Sequence, residues 1–170
     1  MKKVISFIIV TCLLFAMTSC RKIVDKASII SDRLGVPIEG GHVEIYTNTH
    51  GGCNGDGDTY AEITFSDESF CDEIKNNSEW SELPLSETLN HFVYGGLDSK
   101  GAYRFPAVED ENHKSIIPLI SNGYYFFKDR YPNCTNEKDD SQIFDRYSFN
   151  FTLAIYDSDS KTLYFYEIDT

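Results

Sequence analysis

Residues 147–168 read YSFNFTLAIYDSDSKTLYFYEI, two apolar runs joined by a polar turn. In the first run, at 147–156, large apolar side chains occupy every second position, which is the side-chain period of a β-strand. The segment DSDSK at 157–161 supplies turn-forming residues, and a second apolar run follows at 163–168. The pattern predicts an antiparallel β-hairpin at the C-terminal end of the chain.

Four further segments carry strand patterns. Residues 42–49 and 59–65 alternate apolar and polar side chains, and the Gly-rich segment at 51–58 joins them, which predicts a second hairpin with a long loop. The aromatic run at 124–127 favours a strand because aromatic residues have high β propensity. A further strand is expected to start at 116–120.

Helix signals are fewer. Residues 23–34 place apolar side chains at helical spacing and end before Gly and Pro, which is compatible with a short helix or an unstructured tether. Acidic residues crowd the start of 67–76, and another helix is expected at 87–94, with Trp80 filling the junction between the two. The predicted class is α+β, mainly an antiparallel sheet of about five strands with roughly two or three helices.

The N-terminus has the layout of a signal peptide. Lys2 and Lys3 precede an uncharged apolar stretch at 4–17. As a helix this stretch would reach about 21 Å at roughly 1.5 Å per residue, which is short of the about 30 Å of a hydrocarbon core. The sequence Met-Thr-Ser-Cys that ends at Cys20 resembles the bacterial lipobox, in which the cysteine is acylated.

The lipobox divides the chain into three parts. A lipoprotein signal peptide is expected at 1–19, a lipidated N-terminus with a tether or short helix at 20–36, and a single α+β domain at 37–170. The expected location is the extracytoplasmic face of the cell membrane. The acyl chains of Cys20 would hold the protein in the lipid bilayer.

The charge balance excludes some partners. The chain has 15 Lys and Arg against 27 Asp and Glu, a formal net charge of −12. Such a surface repels phosphate backbones and anionic lipid heads, so no nucleic acid partner is expected. Cysteine use leaves two alternatives for Cys53, Cys71 and Cys134, which are one disulfide with one free thiol or three unpaired cysteines.

The Gly-rich loop is the candidate ligand or metal site. Its oxygen-bearing residues could suit calcium, although the spacing is not that of an EF-hand. The alternative is a solvated hairpin loop, since Asn, Asp and Gly commonly form turns. No paired-cysteine or H-E-x-x-H spacing, P-loop or nucleophile elbow occurs in the sequence, and no cofactor is expected. The candidate residues are His50, Asn54, Asp56, Asp58 and Glu62.

The tyrosines of the C-terminal hairpin form a second candidate site. Tyr156, Tyr164 and Tyr166 fall opposite the obvious core positions, where tyrosine can serve as a rigid binding surface. The alternative is that the sheet is covered on both faces. Tyrosine favours strands whatever its function, so the pattern does not separate these alternatives.

Three stretches carry a resemblance. Residues 49–58, 80–85 and 148–169 resemble those of small bacterial lipoproteins that share a Thr-His-Gly-Gly loop and this closing hairpin, and the resemblance implies no known activity. The sequence favours a non-enzymatic binding or accessory protein with a protein or envelope partner. One alternative is a metal-dependent or hydrolytic enzyme that uses the loop at 50–58. Another is an inhibitor or immunity protein whose acidic charge steers it to a basic target.

Overall fold

The computed structural model describes residues 25–51 and 55–170, and it confirms the predicted α+β class. The described residues form three α-helices, a six-stranded antiparallel sheet and a two-stranded sheet. The helices are α1 (Lys26–Leu34), α2 (Ser69–Ile74) and α3 (Glu87–Tyr94). The strands are β1 (Gly41–Asn48), β2 (Gly57–Phe65), β3 (Trp80–Glu82), β4 (Gly96–Leu97), β5 (Tyr103–Arg104), β6 (Gly123–Asp129), β7 (Asn150–Asp157) and β8 (Thr162–Asp169).

The C-terminal hairpin predicted from the sequence forms the centre of the large sheet, as β7 and β8. The strand order is β1-β2-β8-β7-β6-β3, and each neighbouring pair is antiparallel. Strand β7 begins at Asn150 rather than at Tyr147, because Asn150 pairs with Asp169, the last residue of β8. Tyr147 lies outside the sheet and is fully exposed.

Both faces of the large sheet are covered. Helices α1 and α2 pack on one face, which we call the first core, and helix α3 packs on the other face, which we call the second core. Strands β7 and β8 are therefore buried on both sides, as is usual for the central strands of a covered sheet. Phe165 lies in the first core, and Phe151 lies in the second.

The three tyrosines of the candidate binding face are buried. Tyr156 is fully buried in the first core, whereas Tyr164 and Tyr166 lie in the second core at 8% and 6% exposure. Burial raises the pKa of all three hydroxyls. Of the two alternatives that the sequence left open, the covered sheet is the one observed, and the three tyrosines do not form an exposed binding face.

Helix α1 resolves one alternative left open by the sequence. The Asp25 carboxylate caps its first turn, and Gly35 ends it in the left-handed conformation at φ 66°. Ile30 and Leu34 are buried in the first core. The described part of 20–36 therefore includes a packed helix and not an unstructured tether.

Two local expectations differ from the structure. Residues 116–120 form no strand, because Pro118 has no amide hydrogen to offer a partner strand. Trp80 is the first residue of β3 rather than part of a helix junction. Its ring packs between Phe70 of α2 and Phe126 of β6, with ring centroids 5.9 and 5.7 Å away.

Some sequence predictions fall outside the described residues. The signal peptide at 1–19, the lipidation site Cys20, and the loop residues Cys53 and Asn54 are among them. Cys71 and Cys134 are free thiols, so they do not form a disulfide with each other. Within residues 25–51 and 55–170, no helix combines the length and apolar character needed to cross a bilayer.

Candidate functional site

The acidic side chains of the candidate loop do not converge. Asp56 is exposed, and the Asp58 carboxylate accepts a hydrogen bond from the Thr49 hydroxyl. Glu62 accepts a hydrogen bond of 2.5 Å from the Tyr60 hydroxyl, which belongs to the second core. These described acids therefore offer no shared position for a calcium ion.

His50 instead joins a cluster on the first-core side of the sheet. Its Nδ1 lies 3.2 Å from Thr59 Oγ1, and its Nε2 lies 3.3 Å from Asp169 Oδ2. Glu167 is two residues before Asp169 on the same face of β8, and ligand atoms of His50, Glu167 and Asp169 lie within 4.8 Å of one another. We call this set the His50 cluster, and it comprises His50, Thr59, Glu167, Asp169, Arg33 and Arg130.

Two arginines neutralise the carboxylates of the His50 cluster. Arg33 Nε lies 2.9 Å from Glu167 Oε2, and Arg130 Nη1 lies 2.7 Å from Asp169 Oδ1. Two acids and two bases leave no net charge, so a divalent cation would add two uncompensated positive charges to a partly buried site. The geometry favours an ion-pair network that joins the loop, α1 and β8 over a metal centre.

The row Thr59–His50–Asp169 has the atom types of a hydrolytic triad but lacks its access. Thr59 is 4% exposed, and its hydroxyl also accepts a hydrogen bond of 3.0 Å from Asn48 Nδ2. A nucleophile must be open to its substrate. The buried Thr59 hydroxyl does not meet that requirement, so the row connects the Gly-rich loop to the C-terminal strand.

A polar pocket of about 260 Å³ lies beyond the end of β6. Its floor is the ion pair of Asp129 and Arg146, whose two hydrogen bonds measure 2.7 and 3.0 Å. The side chains of this pair are 4% and 10% exposed. The Arg146 guanidinium also lies 4.8 Å from the centre of the Tyr131 ring. We call this site the 129–146 pocket, and it was not predicted from the sequence.

Electrostatics fix the protonation of the pocket floor. Burial acts to raise the pKa of Asp129, but hydrogen bonds from the Arg146 guanidinium and the Tyr131 amide outweigh it and hold that pKa below its ordinary value. Burial, together with the nearby Asp129 carboxylate, raises the pKa of the Cys134 thiol. The floor therefore holds an ionised carboxylate and a protonated thiol, which is a poor nucleophile.

The small hairpin of β4 and β5 exposes large apolar side chains. Leu97 and Tyr103 pair across the hairpin, so their side chains share one face, and Phe105 follows two residues after Tyr103. The three side chains are 67%, 60% and 58% exposed, and the ring centroids of Tyr103 and Phe105 lie 5.2 Å apart. We call Leu97, Tyr103 and Phe105 the outer hairpin face. This face was not predicted from the sequence.

Arg104 and Lys100 contact the rest of the domain from the same hairpin. Arg104 Nε donates a hydrogen bond of 3.0 Å to Asp98 Oδ2, and the Arg104 guanidinium lies 4.4 Å from the centre of the Phe144 ring. Lys100 pairs with Asp145. The hydrogen bond from the Ala102 amide to the Asp98 carboxylate lowers the pKa of Asp98, and Arg104 lowers it further. Together they outweigh burial, which acts to raise that pKa. The Asp98–Arg104 pair lies within the hairpin, whereas the Arg104–Phe144 and Lys100–Asp145 contacts join the hairpin to the domain.

Comparisons with known proteins give no relative from which a function could be transferred. No protein-family model matches the chain, and no curated protein or solved structure matches it. We therefore infer the function from the contacts, burial and charges of the protein itself.

Proposed function

We propose that this protein is a lipid-anchored, extracytoplasmic binding protein without catalytic activity, and that the outer hairpin face is its docking surface. The observation that carries the proposal is the exposure of Leu97, Tyr103 and Phe105 on a hairpin that contacts residues 144 and 145 of the domain through Arg104 and Lys100. Large aromatic side chains that are rigid before binding lose little conformational entropy when a partner covers them.

Charge indicates the chemistry of the partner. The chain carries a formal net charge of −12, and Glu109, Asp110 and Glu111 follow closely after the outer hairpin face in the sequence. Lys and Arg side chains bind to the faces of Tyr and Phe rings, and an acidic surface steers basic proteins toward it. A protein with a basic, partly apolar surface therefore fits this site best.

The enzyme alternative has less support than the binding proposal. The enzyme hypothesis was based on the Gly-rich loop, but His50 contacts Thr59 and Asp169 rather than Asp56 and Asp58. The arginines of the His50 cluster already occupy its carboxylates. Catalysis would require the imidazole and the carboxylates of the His50 cluster to be free, whereas binding at the outer hairpin face does not.

The membrane anchor rests on the lipobox pattern, and Cys20→Ala tests it. In a bacterial host given an alkyne-tagged fatty acid, the wild-type chain is expected to carry the label, because a thiol at position 20 is the acylation site. The Cys20→Ala chain should lose the label and accumulate as a slower-migrating precursor. Cys12→Ala is the control and should keep the label. Labelled Cys20→Ala protein would contradict the anchor.

Docking at the outer hairpin face is tested by replacing its apolar side chains. A photo-reactive residue placed at position 97 crosslinks the chain to its partner. We expect the double variant Tyr103→Ser, Phe105→Ser to lower the yield of this crosslink by at least about tenfold, since buried aromatic anchors often contribute about 2 kcal/mol or more each. The measurement is the yield of one defined crosslinked species in intact membranes. Its yield should also fall as salt rises.

Leu119→Ser is the matched control, because Leu119 is 83% exposed but lies outside the hairpin. The same crosslinked species should form with Leu119→Ser as with the wild type. Equal loss in both variants would show a general effect of surface hydrophobicity, and undiminished crosslinking in the hairpin variant would refute docking at this face. Measurable turnover of a substrate by the purified chain would also count against the proposed function.

A further inference from the structure

We infer that the 129–146 pocket binds a neutral sugar unit, which is a ligand site separate from the outer hairpin face. The pocket is open, has a volume of about 260 Å³, and has a buried floor made by the Asp129–Arg146 ion pair. It is bordered by Asn133, Thr135, Asn136 and Asp139. Cavities of a few hundred Å³ suit small ligands.

The chain segment that borders the pocket is organised by its own hydrogen bonds. The Asp129 amide donates to the Glu137 carbonyl at 2.7 Å, and the Cys134 amide donates to the Tyr131 carbonyl at 2.9 Å. The Asn136 carbonyl accepts from the Asp139 amide at 3.0 Å. The first bond closes residues 129–137 into a loop and the other two close turns, so the bordering side chains are presented by a defined backbone.

Several polar groups of this border remain available for a ligand. The side chains of Asn133 and Thr135 form no hydrogen bond with another described residue. Asn136 uses Oδ1 to accept from the Lys138 amide, and Asp139 uses Oδ1 to accept from the Ser141 amide. The border therefore offers both donors and acceptors to a ligand. The donors are the side-chain amide hydrogens of Asn133 and Asn136, the acceptor is Asp139 Oδ2, and the Thr135 hydroxyl can do either.

This mixture selects among ligand classes. An anion would meet the carboxylates of Asp139 and Asp145, and the positive charge of Arg146 is already paired with Asp129. An ammonium or guanidinium group has donors only, so it would cover the amide hydrogens of Asn133 and Asn136 without accepting from them. Sugar hydroxyls both donate and accept, and therefore match the available groups.

The aromatic side chain of the pocket agrees with the same ligand class. Tyr131 lines the pocket, and Arg146 supports its ring at 4.8 Å. A supported ring presents a flat, partly apolar surface to the C–H groups of a pyranose, while its hydroxyl can pair with a sugar hydroxyl. The pocket thereby combines a flat surface with hydrogen-bonding groups around it.

The test uses the ¹⁵N-labelled full chain in detergent micelles. The probes are the free sugars and methyl glycosides of glucose, galactose, mannose and N-acetylglucosamine, with agmatine and inorganic phosphate as charged competitors. At least one sugar probe is expected to give saturable amide shifts confined to residues 129–146. Binding of the methyl glycoside would indicate the end of a glycan as the source, and binding of the free sugar alone would indicate a free sugar.

The informative variants are Asn133→Ala and Thr135→Val, because neither side chain bonds to another described residue. Each is expected to weaken sugar binding by about tenfold, the loss of one hydrogen-bonding partner. Lys75→Gln, which removes an exposed charge outside the pocket, and Leu119→Ser at an exposed apolar position should leave the affinity unchanged.

Three results would overturn the inference. They are the absence of a shift with every sugar probe, shifts of equal size in the two pocket variants and the wild type, and displacement of the sugar by agmatine or phosphate at lower concentration. None of these results affects crosslinking from position 97, so the pocket and the docking surface are tested independently.

Discussion

Replacing Arg146 by methionine is expected to lower the free energy of unfolding by about 3–5 kcal/mol, as when one partner of a buried ion pair is removed. Methionine keeps much of the side-chain volume, so the main change is the loss of the charge beside Asp129. The Asp129 side chain is 4% exposed and would remain buried without its partner. Denaturant unfolding of the full chain measures the difference.

The pH dependence of that difference has a defined sign. In the wild type the pKa of Asp129 is lowered, so the pair contributes stability above the ordinary carboxyl pKa and loses it as pH falls through the lowered value. Without Arg146, burial raises the pKa of Asp129, and protonation on acidification relieves the penalty of a buried charge. The stability gap between variant and wild type should therefore narrow as pH falls.

An exposed ion pair serves as the control for Arg146. Lys75 pairs with Asp72 on α2, and both side chains face solvent. Lys75→Gln should leave the unfolding midpoint unchanged within error, because exposed pairs contribute little. A gap for Arg146→Met that widened toward acid pH, or that matched the Lys75→Gln effect, would show that Asp129 does not depend on this guanidinium.

The parts of the fold that could be predicted are those with local signals. The alternation in β7 and β8, the Gly-rich hairpin and helix α3 each follow from side-chain spacing and turn residues within one segment. The predicted strand at 116–120 does not form, because the missing amide hydrogen of Pro118 outweighs the β propensity of the apolar residues around it. Burial of Tyr164 depends on what covers the sheet, and that information is not local.

The functional candidates show the same limit. Glu167 and Asp169 alternate onto one face of β8, which the sequence allows, but their meeting with His50 depends on β2 pairing with β8 across a long separation. The 129–146 pocket depends on Asp129 and Arg146 meeting from opposite ends of a loop. For the outer hairpin face, a spacing of two residues between Tyr103 and Phe105 was the available signal, in a segment interrupted by Gly and Pro.

Phe151→Ala is expected to lower the free energy of unfolding by about 3–5 kcal/mol, the usual range for removing a fully buried phenylalanine. Phe151 is 0% exposed, and its ring contacts those of Phe92 of α3 and Phe127 of β6 at 4.9 and 5.6 Å. The substitution would leave a cavity between the central strand and α3. Equilibrium unfolding of the full chain measures the loss.

Phe105→Ala is the matched substitution at a position that is 58% exposed. It should change the free energy of unfolding by no more than about 0.5 kcal/mol, because surface substitutions away from packed features have small effects. A loss as large as that of Phe151→Ala would mean that the outer hairpin face holds the fold together. A small loss, combined with weaker crosslinking in the Tyr103→Ser, Phe105→Ser variant, would assign the exposed rings to binding rather than to stability.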